Sequence, residues 1–340
     1  MKAVALYRYL PIDDPEAFLD VEIPTPAAVG RDLLVEVKAV SVNPVDCKTR
    51  APKAQVETAP RVLGWDAAGV VKAAGGDATL FKPGDAVYYA GSIARPGCDS
   101  EFHLVDERIV GRKPANLGFA EASALPLTTI TAWEALFDRL GVPRRGGAAA
   151  GAETVLVIGG AGGVGSIAIQ LAKKLAGLKV IATASRPESV KWVQALGADA
   201  VADHSKDLAA ELKALGTPEV EYVLCFNDLD RHFPAFAQIV KPQGKICAIV
   251  RPAAPLELGP LMAKSVTFAW EMMFTRAMFE TPDMIAQHEL LDEAAGLIEA
   301  GVLKTTLARN MGTLNAANLK RAHKALEEGH TIGKLVLEGF

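Results

Sequence analysis

Gly160, Gly162 and Gly165 stand in the spacing GxGxxG within TVLVIGGAGGVGSIAIQLAKKL. The run before them is apolar and strand-like, and the run after is amphipathic, with Ile167, Leu171 and Leu175 on one helical face. A glycine turn between a strand and a helix suits a pyrophosphate. Glycines permit a tight turn and close approach, and the unpaired N–H groups of the helix start face the anion. Gly163 and Val164 lie in that helix start and complete the expected cradle. A turn that serves packing alone is the alternative, and the strand–turn–helix context weighs against it.

The end of the next strand selects the dinucleotide. An NAD site offers an Asp or Glu about 20 residues beyond the glycines, to hold the ribose hydroxyls. Here the chain reads IATASRPES, with Ser185 and Arg186 where the acid would be and Lys191 further along. A hydroxyl and a guanidinium suit a dianionic 2′-phosphate, because bonds from Arg to phosphate are charge-assisted and can be bidentate. NADPH is therefore the expected cofactor; a solvated Arg186 and an N-capping Ser185 are the alternative. Asn227, in LCFNDLD, follows the fourth strand of the series, at the carboxyl edge where open α/β sheets bind cofactors.

These residues need a doubly wound sheet to position them, and residues 154 to 270 alternate strand and helix in that rhythm: TVLVI, GSIAIQLAKKLA, KVIATA, PESVKWVQAL, DAVAD, LAAELKAL, VEYVLCF, RHFPAFAQIV, GKICAIV and SVTFAW. Before them the texture is β-rich, with DLLVEVKAVSV alternating and FKPGDAVYY carrying a Pro–Gly turn. TTITAWEALFDRL reads as a helix and VPRRGGAAAGAE as a Gly/Ala-rich loop, low in complexity at 146 to 152. The C-terminal stretch holds two amphipathic helices and the strand-like GKLVLEGF, expected to complete the first domain.

Composition limits the function classes. The chain has 340 residues, 50% hydrophobic and 22% charged, which fits about two domains of an ordinary globular enzyme. Its 36 basic and 40 acidic residues are interspersed and give a net charge of −4, so no basic stripe points to nucleic acid. No apolar run approaches the roughly 18 residues of a membrane span, and MKAVALYRY lacks the apolar region of a secretory signal, so a cytoplasmic location is expected. Cys47, Cys98, Cys225 and Cys247 are far apart and show no zinc or redox spacing. No GxSxG elbow or HExxH motif occurs, and HELLDE at 288 to 293 is helix surface.

Together, VNPVDCK, LGWDAAGVV, FKPGDAVY, GGAGGVGSIAIQLAK, ASRPESV, LGADAVADH and GKLVLEGF resemble the medium-chain dehydrogenase/reductase superfamily, and within it the quinone oxidoreductase and zinc-type alcohol dehydrogenase-like branch. The resemblance spans nearly the whole chain. It implies an α/β fold: a GroES-like β-rich catalytic domain from residues 1–127 and 276–340, and a Rossmann doubly wound parallel-sheet domain from 128–275. It also implies a homodimer or homotetramer, often paired through an edge strand, for which SVTFAW is the candidate.

By the same resemblance the metal ligands of zinc-dependent members fall at Asn43, Trp65, Asp66 and close to Leu127. An indole has no lone pair to give and an amide is a poor zinc ligand, so no metal is expected, catalytic or structural. Unactivated alcohols then become poor substrates, whereas quinones and α,β-unsaturated carbonyls spread their own negative charge. The expected function is zinc-independent, NADPH-dependent hydride transfer to such an acceptor. A zinc-type alcohol dehydrogenase and a non-catalytic NADPH-binding protein are the alternatives.

In related reductases the Asn of VNPVD lies beside the nicotinamide, which marks Asn43 as a catalytic and cofactor-binding candidate. Asp46 is expected to hold the loop or a substrate group, and Lys48 to polarise a carbonyl or deliver a proton; an Asx-type turn before Pro44 for Asn43, a structural ion pair for Asp46 and a solvated Lys48 are the alternatives. Thr128, Thr129 and Thr131 fall where the family's helix approaches the nicotinamide. His204 matches a position where some relatives set a Tyr near the adenosine end.

Overall fold

The computed structural model describes residues 1–146 and 153–340, so the Gly/Ala-rich loop expected at 146–152 lies, but for Gly146, outside the described residues. The strands, in chain order, are β1 (Lys2–Tyr9), β2 (Leu19–Glu22), β3 (Asp32–Val42), β4 (Lys53–Val62), β5 (Ala67–Ala74), β6 (Ala86–Tyr89), β7 (Phe102–Asp106), β8 (Val110–Arg112), β9 (Thr154–Ile158), β10 (Lys179–Thr183), β11 (Ala200–Ala202), β12 (Val220–Cys225), β13 (Val240–Ala248), β14 (Thr267–Trp270), β15 (Leu307–Asn310) and β16 (Lys334–Glu338). They divide between two units, one of Met1–Ile130 with Phe274–Phe340, the other of Thr131–Met273.

In the first unit the alternation of DLLVEVKAVSV makes β3 the longest strand, because every second side chain faces the core. It pairs antiparallel with β5 and β7, and at its far end with β16, so that Val42 faces Leu335. The sheet runs β15-β16-β3-β5-β6-β8, with β7 on β3, and a smaller sheet runs β2-β1-β4. The last strand of the chain thus closes onto the strand that carries the VNPVD loop.

That loop is stopped by proline. Pro44 opens α1 (Pro44–Arg50), and Asn43 caps it in the extended conformation with the Asp46 carboxylate bonded back to the Asn43 N–H. Pro fits the first helical position because its missing N–H would have had no partner there.

The second unit is a six-stranded sheet in the order β11-β10-β9-β12-β13-β14, with every pairing parallel. β9 is buried along its whole length and β12 almost so, as central strands covered on both faces must be. On one face Leu156, Ile158 and Val223 pack with Phe233, Phe236 and Leu212. The expected long helix over TTITAWEALFDRL differs in detail. An α-helix, Pro126–Trp133, passes into a π-helix, Glu134–Arg139, where the Leu140 N–H bonds to Ala135 O rather than to the carbonyl four residues back. No described helix is long and apolar enough to cross a membrane.

Candidate active site

The turn after β9 is built from glycines that do different jobs. Gly159, which the GxGxxG pattern passes over, makes the left-handed bend at φ +81°, and its N–H donates to Thr183 Oγ1 at 3.0 Å. A Cβ on Gly160 would lie 2.9 Å from Ala182 Cβ, and one on Gly165 would lie 2.3 Å from Gly159 O and 2.7 Å from Gly160 Cα. Those two glycines let the helix lie against the strand. Gly162 differs, because a Cβ there meets nothing of the protein closer than 3.4 Å. It caps the helix of Gly163–Lys174 with no side-chain partner, leaving the N–H groups around Gly163 and Val164 facing open space. These residues fit a pyrophosphate.

β10 and β11 run in parallel register, Thr183 beside Ala202, so Ser185 and His204 leave the sheet together at its carboxyl edge. Ser185 Oγ lies 3.5 Å from His204 Nε2. Arg186 stands next to them, its guanidinium reaching Ser189 Oγ at 3.4 Å and Glu188 at 3.6 Å. Burial lowers the basicity of His204, and the positive charges of Arg231 and Arg186 add to that against the pull of Asp203. Asn227 is exposed, and its Cβ lies 3.3 Å from where a Gly159 Cβ would be, which places it against the glycine turn. Lys191 lies on the exposed side of Pro187–Ala195, with no hydrogen bond or ion pair among the described residues.

In the first unit the end of β3, the segment before β5 and the start of β16 bring Ser41, Asn43, Asp66 and Lys334 into one buried cluster. The Lys334 ammonium donates to Val42 O at 3.0 Å, to Asn43 Oδ1, and lies 3.1 Å from Asp66 Oδ2. Asp66 Oδ2 also accepts from Ser41 Oγ at 2.7 Å and Asn43 Nδ2 at 3.2 Å, and Oδ1 accepts from the Leu127 N–H at 3.2 Å. Asn43 Nδ2 reaches Ser41 O as well, at 3.3 Å. Burial raises the Asp66 carboxyl and lowers the Lys334 amine, each opposed by the other's charge.

The residues of the VNPVD loop hold one another in place. Both ends of the Asn43 amide are engaged within the fold and the side chain is 1% exposed, so the amide fixes the loop. Asp46 holds the same loop by accepting the Asn43 N–H at 2.7 Å; its other oxygen is buried without a partner, and burial pushes its pKa up to about 7. Lys48 is exposed, with no partner among the described residues. Lys334 escaped the sequence reading; the only signal was a lysine opening the strand-like GKLVLEGF.

The positions matched to zinc ligands do not suit a metal. Trp65 is 1% exposed, packs edge-to-face on Phe274 at 6.2 Å, and turns an N–H donor, itself unpartnered, into the core. Each Asp66 oxygen already has partners, one of them a cation. Among the described residues no three His, Cys, Asp or Glu side chains could hold a metal ion, and the four cysteines are buried thiols. Thr128, Thr129 and Thr131 are buried in Pro126–Trp133, where Thr128 Oγ1 donates to Leu125 O at 3.1 Å.

Comparisons with known proteins agree with this architecture. The alcohol dehydrogenase GroES-like domain family matches residues 30–132, and the zinc-binding dehydrogenase family matches residues 196–337. A zinc-type alcohol dehydrogenase-like protein of Staphylococcus aureus is 43% identical over 337 residues, 99% of both chains. The chain belongs to the medium-chain dehydrogenase/reductase superfamily. Among solved structures of this superfamily, a Rhizobium etli protein described as a zinc-dependent alcohol dehydrogenase is 54% identical, with a TM-score of 0.94 over 100% of this chain and 98% of that one. The Escherichia coli quinone oxidoreductase, solved with NADPH, is 26% identical, with a TM-score of 0.82 over 99% and 100%. Membership makes the chain an oxidoreductase with a nucleotide-binding fold and a small-molecule substrate. The zinc in the relatives' names has no counterpart in the side chains found here at Asn43, Trp65 and Asp66.

Proposed function

We propose that this oxidoreductase uses NADPH and no zinc, and reduces a quinone or an α,β-unsaturated carbonyl. The observation that carries the proposal is the buried Lys334 ammonium on Asp66 and Asn43, beside Trp65, at the positions matched to metal ligands. A second cation brought next to Lys334 would meet its charge at close range in a low-dielectric interior. Ser185, Arg186 and His204 support the choice of NADPH, since a hydroxyl and a guanidinium follow β10 where an NAD site sets an Asp or Glu.

The chemistry a bound nicotinamide supplies is hydride transfer to an acceptor that can delocalise charge. The chain's own part is to bind and to position. The glycine turn and helix start hold the pyrophosphate, with Asn227 against them. Asn43, Asp46 and Lys334 fix the loop that leads into Pro44–Arg50, and Lys48, exposed on that helix, is its group able to polarise a carbonyl or deliver a proton. Thr129 and Thr131 offer hydroxyls for the carboxamide or ribose.

The protein acts as a homodimer or homotetramer in the cytoplasm, joined through the edge strand β14. Trp270 beside that edge is 48% exposed and Met262 is 82% exposed, which is apolar surface a partner subunit would cover. The test is a panel of NADPH and NADH oxidation assays with quinones, enones, aldehydes and simple alcohols, run beside metal analysis of protein purified without chelators. NADPH-dependent turnover of quinones or enones at well under one zinc per chain is expected. Alcohol oxidation with about one zinc per chain would overturn the proposal, and tight NADPH binding without turnover would favour a non-catalytic protein.

A further inference from the structure

Arg231 is the strongest unassigned cation at the carboxyl edge of the parallel sheet. It sits in the first turn of the helix Leu229–Ile239 and donates Nη2 to Ser205 O at 3.0 Å, which holds its guanidinium beside the residue following His204. Two neighbouring carboxylates have other partners. Asp230 accepts the N–H groups of Ala253 and Ala254, and Asp203 accepts Ser205 N and Oγ and lies 3.7 Å from Lys206. Among the described residues Arg231 has no carboxylate partner, although its helix begins beside Asp228. Across the same edge stand Ser185, 3.5 Å from His204 Nε2, and Arg186. The carboxylates of Asp203 and Asp228 and both guanidinium groups act electrostatically on the one imidazole, so it lies within the field of each.

We infer that Arg231 is a second guanidinium for the 2′-phosphate of NADPH, reaching it from the segment that follows His204. The inference rests on the NADPH reading and deepens it. A phosphate monoester carries close to two negative charges and several acceptor oxygens, more than Arg186 and Ser185 satisfy alone. Two guanidinium groups together with a hydroxyl and an imidazole match that charge. A ribose hydroxyl, as in NADH, offers Arg231 an uncharged acceptor in place of a dianion, so the residue acts on cofactor choice rather than on turnover.

The test is calorimetric binding of 2′,5′-ADP and 5′-AMP to the full chain and to the variants Arg231→Met, Arg231→Lys and Arg186→Met, with melting temperatures as a check on folding. Native protein is expected to prefer 2′,5′-ADP. Arg231→Met should weaken 2′,5′-ADP roughly tenfold and leave 5′-AMP within about twofold, and Arg231→Lys should recover part of the loss. Unchanged 2′,5′-ADP binding in Arg231→Met, with a loss in Arg186→Met, overturns the role of Arg231 and leaves the NADPH reading standing. Equal binding of the two ligands by native protein overturns both.

Discussion

The Lys334 ammonium lies 3.1 Å from the Asp66 carboxylate, and the two side chains are 3% and 0% exposed. Removing one partner of so buried a pair strands the other charge, at a cost of about 3–5 kcal/mol. Lys334→Met is therefore expected to lose stability on that scale in chemical denaturation. Adding Asp66→Asn to it should recover a large part, because the stranded charge is gone. Full additivity of the two losses would show that the pair is not coupled.

Metal removal should be without effect. Incubation with EDTA is expected to leave both the melting temperature and NADPH oxidation unchanged, since Asn43, Trp65 and Asp66 offer no free ligand set. A fall in either, restored by zinc, would contradict this.

The two helix-facing glycines separate packing from binding. Gly165→Ala forces a Cβ to within 2.3 Å of Gly159 O, and should destabilise the protein by roughly 1–3 kcal/mol as well as weaken NADPH. Gly162→Ala has 3.4 Å of room and should melt close to native, while its Cβ intrudes on the phosphate cradle and weakens NADPH binding at least tenfold on the order-of-magnitude cost of lost charge-assisted bonds. Fluorescence titration and thermal melts read the two effects separately.

Stability should depend on pH with opposite signs at two buried groups. Burial lowers His323 to about 3, with the charge of Arg50 adding to it. The unfolded chain takes up this proton first, so stability is present above about 6.5 and lost as pH falls toward 3. Asp46 is raised to about 7 by burial, so the folded state holds its proton longer, and stability present below about 3.8 is lost as pH rises through 7. His323→Leu should flatten the acid arm and Asp46→Asn the neutral one, by up to roughly 4–5 kcal/mol across each window. Denaturation midpoints at a series of pH values check both.

The glycine turn was legible in the sequence because its information is local, a strand and a helix flanking three glycines. Even there the pattern passed over Gly159, since GG gives no hint which glycine carries the positive φ. Ser185 and His204 were found singly, and only parallel pairing of β10 with β11 shows them adjacent. Lys334 was illegible for a plainer reason, that 291 residues separate it from Asn43 and no periodicity connects them. Its absence from the reading is why Asn43 was expected to keep its amide for a ligand. Lys48 and Lys191 could be placed on helices by pattern, but which way each faces depends on packing.

The pairing of β16 with β3 also bears on how the protein is made. Val42 accepts a hydrogen bond from a lysine 292 residues later, so at about 5–20 residues per second the loop around Asn43 waits about 15–60 s on the ribosome for its cation. Throughout that interval Asp66 has no lysine to meet it and stays hydrated, and by its end all six strands of the second unit, the last closing at Trp270, have been made. The nucleotide-binding unit can therefore fold first, and the loop acquires its final shape only once Lys334 has been made.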